Sequence, residues 1–383
     1  MAKHFSAQQT EQMPTYQCER CDKVFKQKGH YDTHLARKKP CEKDSAIEAL
    51  VEKKVQEALA KLQPQPTPPP PAPITIPEGT YVKPFLKWVG GKTQILEDVL
   101  DLFPQTIHNY YEPFVGGGSV LLGFLSRVHQ KQIRLTGQVF VSDWNATLIG
   151  VYKNIQTQPE ELLREVKTLQ ETSAKATGTE VNRKPKTLEE ALTSPESYYY
   201  WIRGTFNSLT AEQRVSLTGS AMFLFLNKNC FRGLYREGPN GFNVPYGNYK
   251  QPTILEDEHV RLVSKLLQPA VFQVASFETV LVKPVEGDFV YMDPPYAPES
   301  ATSFVGYTAD GFGTDTHKAL FSQCQQLHQK RVRFLMSNAD VPLVKDAFPL
   351  PTYQTKTIVC RRAIHSKQPD AKTNEVLVSN QIN

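Results

Sequence analysis

At 383 residues the chain exceeds one ordinary domain of roughly 150 residues, so two or three domains are expected. Its hydrophobic content of 40% and mean hydropathy of −0.42, with no apolar run near the ~18 residues a span requires, exclude a membrane-crossing helix. Lys+Arg 44 against Asp+Glu 39 leaves a net charge of +5, which permits an anionic partner such as nucleic acid without requiring one. Residues 1–16 show no apolar stretch behind a basic cluster, so no secretory leader is expected and the chain is placed inside a cell.

The first motif is Cys18-x2-Cys21, then twelve residues to His34 and six more to Cys41. Two thiolates on a knuckle can meet an imidazole and a third thiolate from a following helix to complete a closed tetrahedral zinc site. Phe25 and Tyr31 stand where so small a unit needs its core side chains. The segment resembles a Cys2His2-type zinc finger in a Cys2HisCys form, over Cys18 to Cys41 alone, and its long last spacing and terminal Cys depart from the commonest pattern. If the finger reads DNA, the resemblance puts Gln27, His30 and Thr33 at the base-facing positions; a finger that only folds is the equal alternative, and one finger spans only about three base pairs. Cys230, Cys324 and Cys360 are scattered, unlike a secreted disulfide framework, and point to a reducing compartment.

From Ser45 to Leu62, Ile47, Leu50, Val51, Val55, Leu59 and Leu62 recur at helical spacing among Glu and Lys, predicting an amphipathic helix. It is shorter than three heptads, so a solvated helix and a seam for self-association both remain open. Eight prolines between residues 64 and 77 then deny backbone donors and predict an extended linker. The expected order is a finger (1–43), a helix (44–63), a linker (64–79) and about 300 residues of globular sequence.

The globular part opens with KPFLKWVGGK, Lys83 to Lys92. Tyr110 to Ser119, followed by VLLGFL, reads as strand, glycine turn and helix, where glycines let a ligand approach the backbone at a helix N-terminus. The glycine spacing is not that of a dinucleotide fingerprint, which argues against a nicotinamide cofactor. GQVFVSDWNATL is a further strand ending at Asp143, where an acid can hold ribose hydroxyls, so adenosine with an amino-acid tail would fit. Glu171 to Lys186 lacks periodicity and predicts a mobile loop.

GDFVYM reads as a buried strand, which places Asp293-Pro294-Pro295-Tyr296 at its C-terminal end, the edge where open α/β sheets bind ligands. The prolines stiffen the backbone and leave the Asp293 carboxylate and the Pro294 carbonyl as two fixed acceptors, with Tyr296 as a flat stacking surface. Two acceptors and a ring suit an aromatic amine. Accepting both of its hydrogens draws the nitrogen towards tetrahedral geometry and frees its lone pair, while Asp293 takes part of the developing positive charge. Ser303 to Gly313 reads equally as a loop or a lid before a helix near Thr316. RVRFLMSNAD is another strand, and residues 355–362 with 375–379 form a closing hairpin.

KWVGGK, EPFVGGG, SDWN and DPPY, in this order over about Tyr81 to Asn380, resemble the DNA adenine methylase family, the D12 class of N6-adenine methyltransferases. The resemblance implies an α/β fold: a Rossmann-like sheet (80–150 and 276–383) that binds S-adenosylmethionine, with a helical target-recognition domain (151–275) inserted. It assigns Trp88, Lys92, Glu112, Phe114, Gly116 and Gly118 to the cofactor pocket, Asp143 to the ribose, and Lys87 to DNA. Asn227 to Arg236 with Gly241 to Tyr249 is similar to the family's DNA-reading hairpin, in which Phe231 would wedge into the stack, Arg236 would read a guanine, and Leu234 and Pro245 would touch bases. Arg232 and Asn248 stand where GATC-specific members carry Asn and Arg, which weakens the case for GATC as the site.

The implied reaction is methylation of N6 of an adenine swung out of double-stranded DNA at a short, four-base site, without a covalent intermediate and without a catalytic metal. An N4-cytosine methylase and an idle zinc-finger DNA-binding protein are the alternatives. The fusion to a finger suggests a eukaryotic nucleus or a site of viral DNA replication as the location.

Overall fold

The computed structural model describes residues 15–37, 41, 75–250, 252–298, 312–361 and 372–381. The predicted helix at Ser45 to Leu62, the linker as far as residue 74, and the Ser303 to Gly311 part of the predicted loop lie outside them. The chain divides into two units after Pro73.

In the first unit β1 (Tyr16–Gln17) pairs antiparallel with β2 (Val24–Phe25), and α1 (Lys28–Leu35) follows. The connecting knuckle closes with Cys18 N–H donating to the Lys23 carbonyl and Asp22 N–H to the Cys18 carbonyl. So short an element has almost no core. Phe25 and Tyr31 supply it as expected, their ring centres 6.1 Å apart, with Phe25 4.8 Å from the His34 ring.

The second unit is α/β. Its elements run β3 (Tyr110–Glu112), α2 (Ser119–His129), β4 (Val139–Asp143), α3 (Ala146–Thr157), α4 (Pro159–Ser173), α5 (Pro195–Ser208), α6 (Leu217–Asn229), the short strands β5 (Glu237–Gly238) and β6 (Gly241–Phe242), α7 (Asp257–Leu266), β7 (Ala270–Val274), β8 (Phe289–Met292), α8 (Thr314–Gln329), β9 (Arg333–Ala339), β10 (Tyr353–Arg361) and β11 (Lys372–Asn380). One seven-stranded sheet has the order β10-β11-β9-β8-β3-β4-β7. Strands β9, β8, β3, β4 and β7 are mutually parallel; β11 runs antiparallel to β9 and to β10. The chain lays β3, β4 and β7 outward in one direction and then returns to place β8 on the other side of β3. The crevice at the C-terminal ends of β3 and β8 is therefore the topological switch point, where sheets of this type bind ligands.

Burial explains the strand sequences. β8, with Phe-Val-Tyr-Met at Phe289 to Met292, is covered on both faces, as a central parallel strand requires. Tyr110 stacks on Phe124 of α2 at 4.1 Å, and Phe103 packs edge-on against Phe289 at 4.6 Å. α3 starts where the Asn145 side chain accepts from the Leu148 N–H at 3.0 Å. α6 is apolar nearly all round and sits among α3, α4 and α5, so it forms the axis of the inserted helices and delivers Cys230 and Phe231 to the β5–β6 hairpin.

Two expectations change. The range 151–275 was expected to be wholly inserted, yet β7 within it pairs parallel with β4 from Val139↔Ala270 to Asp143↔Val274 and belongs to the central sheet. Tyr152 of α3 likewise stacks on Phe272 of β7, ring centres 5.1 Å apart. The stretch predicted as a mobile loop begins inside α4 and is then fastened through its backbone and one side chain: Asn182 N–H donates to Ser197 Oγ at 2.8 Å, Arg183 pairs with Glu196, and the Thr193 hydroxyl donates to the Glu180 carbonyl. Among the described residues, no helix is long and apolar enough to cross a membrane.

Candidate active site

Asp293 leaves the end of β8 at the switch point, and Lys92 joins it to the glycine turn. Lys92 is only 3% exposed; its Nζ lies 2.7 Å from Asp293 Oδ2 and 2.7 Å from the Gly90 carbonyl. Its backbone N–H donates to the hydroxyl of Ser119, the first residue of α2, at 2.9 Å. One residue thus links KWVGGK, EPFVGGG and DPPY. Burial raises the Asp293 carboxyl above its usual range, opposed by Lys92 and assisted by Glu375. Glu112, at the end of β3, is pushed up to about 8 by burial, against the bond it accepts from Tyr110 at 2.6 Å, with Asp293 adding repulsion. Among the described residues the Pro294 carbonyl accepts no hydrogen bond, so it stays available as an acceptor.

At the turn, Gly116 and Gly118 adopt φ of +47° and +72°, which favours glycine. The space that their missing side chains leave is taken by the protein itself: Trp88 lies against Gly116 and Gly117, and the Tyr152 hydroxyl against Gly118, donating to the Gly116 carbonyl at 3.0 Å. A side chain at either position would therefore collide with Trp88 or Tyr152, so the turn needs glycine for packing as well as for its backbone conformation. Asp143 Oδ2 accepts from Gly116 N–H at 3.1 Å and Oδ1 from Asn145 N–H at 3.0 Å. Burial raises its carboxyl, while the amides of Asn145, Gly116 and Trp144 oppose the rise. Trp144 beside it is 69% exposed and offers a flat surface. Phe114, expected in the cofactor pocket, packs against Phe277 and Phe312 at 5.7 and 6.0 Å. A cavity of about 270 Å³ lined by Leu350, Lys356 and Leu377 lies on the β10–β11 hairpin, away from these groups, and carries no chemistry of the kind gathered at Asp293.

The residues expected to read DNA gather around the β5–β6 hairpin. Phe231 is 44% exposed, with the Arg232 guanidinium over its ring at 5.3 Å. Arg232 and Asn248 both have positive φ, +56° and +55°, and Arg232 N–H donates to the Tyr249 hydroxyl. The Pro245 carbonyl accepts from Phe231 N–H at 2.8 Å, and Pro245 itself is exposed. Arg236 is exposed and donates to Asn243 Oδ1 at 2.6 Å. Lys87 sits over the Tyr249 ring at 4.2 Å, and its backbone exchanges two hydrogen bonds with the Asn227 amide at 3.0 and 2.7 Å. Leu234 is half-buried behind them.

In the first unit the ligand atoms of Cys18, Cys21, His34 and Cys41 all lie within 4.8 Å of one another. Cys18 Sγ is 3.5 Å from Cys41 Sγ and Cys21 Sγ 3.3 Å from His34 Nε2, close to the roughly 3.8 Å edge of a tetrahedron with zinc–sulfur bonds of about 2.3 Å. Burial acts against the Cys18 thiolate, yet the amides of Arg20 and Cys21 bring its thiol down to about 6, while burial and then Cys18 push Cys41 up to about 11. The donor set suits zinc. Gln27, His30 and Thr33 lie exposed, with the Thr33 hydroxyl donating back to the Gly29 carbonyl.

Several side chains at the site carried no sequence signal. Tyr296 donates to Glu375 Oε2 at 2.6 Å; Asn338 Oδ1 accepts from Ala297 N–H at 2.9 Å; His317 Nε2 faces the Pro295 carbonyl at 3.0 Å; and Tyr235 stacks on Trp88 at 5.6 Å.

Comparison with known proteins gives the family. The family described as D12 class N6 adenine-specific DNA methyltransferase matches residues 88–360. The type II methyltransferase M.MjaIII of Methanocaldococcus jannaschii is 34% identical over 309 residues, 78% of this chain and 99% of its own length. The type II methyltransferase M1.LlaDCHI of Lactococcus lactis is 30% identical over 78% of this chain and 95% of its own. The DNA adenine methylase of Serratia marcescens is 32% identical over 69% of this chain and 86% of its own. The family match selects adenine over cytosine, and the chain belongs to the D12 class of N6 adenine-specific DNA methyltransferases.

Proposed function

We propose that the chain methylates N6 of an adenine extruded from a short, four-base site in duplex DNA, with S-adenosylmethionine as donor. The observation that carries this reading is the Lys92 bridge, which sets the Asp293 carboxylate and the glycine turn at one switch point. The cofactor, when bound, supplies an electrophilic sulfonium methyl. Asp143 would accept its ribose hydroxyls, and Trp88, Lys92, Glu112, Phe114, Gly116 and Gly118 would border it. Asp293 and the Pro294 carbonyl would accept the two hydrogens of N6, Pro295 would keep that backbone stiff, and Tyr296 would stack on the base. Their contribution is positioning and electrostatics.

The exposed Phe231 supports a wedge that takes the place of the extruded base, and the exposed Arg236 supports readout of a guanine. Lys87, Arg232, Leu234, Pro245 and Asn248 complete the reading surface. In the first unit, zinc held by Cys18, Cys21, His34 and Cys41 would fix the finger. Metal analysis should find one zinc per chain, lost in Cys21→Ser.

The test is incubation with labelled S-adenosylmethionine and mixed DNA, followed by digestion to nucleosides. Label in N6-methyladenine is expected; label in N4-methylcytosine, or none in DNA, would overturn the reading.

A further inference from the structure

The backbone around Tyr296 is anchored on both sides: the Pro295 carbonyl lies 3.0 Å from His317 Nε2, and the Ala297 N–H donates to Asn338 Oδ1 at 2.9 Å. What remains free is rotation of the ring, and its hydroxyl donates to Glu375 Oε2 at 2.6 Å. Glu375 reaches this place because β11 runs antiparallel to β9. Its early residues therefore lie along the C-terminal edge of the parallel strands, with Glu375 opposite Ala339. Lys92 Nζ lies over the same ring, 5.0 Å from its centre, so the ring is held at its edge by a carboxylate and on one face by an ammonium.

We propose that Glu375 is a positioning residue for methyl transfer, acting through Tyr296 to hold the plane against which the extruded adenine stacks. The inference rests on the reading of Asp293 to Tyr296 as the target-base site. A hydrogen bond from the Tyr296 hydroxyl to a side-chain oxygen fixes the far end of the ring, which packing alone does not. With the ring set, the base plane is set, and N6 meets the Asp293 carboxylate and the Pro294 carbonyl in one orientation. Without the bond only the Cβ end and the Lys92 contact on one face restrain the ring, and a misplacement on the order of an ångström costs up to about a hundredfold in rate.

A double-mutant cycle tests this, with single-turnover methylation of adenine-unmethylated genomic DNA and steady-state kcat and KM as readouts. Glu375→Ala and Tyr296→Phe should each slow methyl transfer by about tenfold to a hundredfold, with KM for DNA and for S-adenosylmethionine little changed. The double variant should be no slower than either single variant. Glu375→Gln, which keeps an acceptor, should recover most of the rate. Losses that multiply in the double variant, a Tyr296→Phe variant as fast as the parent, or Glu375→Gln as slow as Glu375→Ala would each overturn the assignment. If Glu375→Ala does not fold, the Tyr296→Phe and Glu375→Gln arms decide. Asp293→Asn serves as the control. If it is inert while Tyr296→Phe is normal, only the Glu375 role falls; if it methylates normally, the target-base site falls with it.

Discussion

The switch-point crevice and the β5–β6 hairpin, proposed to read DNA, are built in opposite ways. In the crevice the three side chains proposed to act are half-buried and held by partners distant in sequence: Asp293 by Lys92, Tyr296 by Glu375 and Asp143 by the Gly116 amide. On the hairpin Phe231, Arg232 and Arg236 are exposed and hold to neighbours within the same motif, Arg236 to Asn243 and Arg232 over Phe231. Chemistry on a weak nucleophile requires geometry fixed before the substrate arrives, while groove reading requires side chains that stay accessible and adapt to base edges. Mutations in the two regions should therefore fail differently.

The largest effect belongs to the crevice. Asp293→Asn should lower the methyl-transfer rate by at least about a thousandfold while DNA affinity stays within a few-fold, measured by single turnover and by titration. A second crevice effect is one of stability. Glu112 keeps a proton in the folded state up to about 8, whereas its ordinary value is 4.5. Between those values the folded state binds the extra proton, so stability declines as pH rises, by at most roughly 1.4 kcal/mol per unit. Denaturant titrations from pH 5 to 8 should show that slope in the parent and a flatter one in Glu112→Gln; equal slopes would break the contrast.

The hairpin should give smaller, sequence-dependent losses. Arg236→Ala should cost about 1–3 kcal/mol on the preferred site and relax selection at one base pair, read by sequencing of methylated DNA. Lys87→Ala should weaken binding evenly across sequences and reduce the salt slope by about one. A specificity change in Lys87→Ala, with none in Arg236→Ala, would reverse the roles given to the two residues.

The same contrast governs how much the sequence disclosed. The Cys18 to Cys41 spacing, the glycine turn and the tetrapeptide after an apolar strand are local patterns, and each appears in the structure as strand end, turn or knuckle. The partners that hold them are distant: Glu375 is 79 residues from Tyr296, Asn338 is 41 from Ala297 and His317 is 22 from Pro295. Their placement depends on strand order and on the register of β11 against β9, which no short window encodes. β7 escaped for a related reason. Ala-Val-Phe-Gln-Val is too short to announce which sheet it joins, and it joined the central one by pairing with β4. The glycine turn shows the converse limit: a glycine marks close approach but does not say of what, and here Trp88 and Tyr152 take the space.

The most direct test is the structure of a ternary complex with an unreactive S-adenosylmethionine analogue and a duplex carrying the site. An adenine is expected outside the helix with N6 within about 3 Å of both the Asp293 carboxylate and the Pro294 carbonyl, its ring against Tyr296. An adenine still stacked in the duplex, or extruded to a place that Asp293 does not touch, would contradict it.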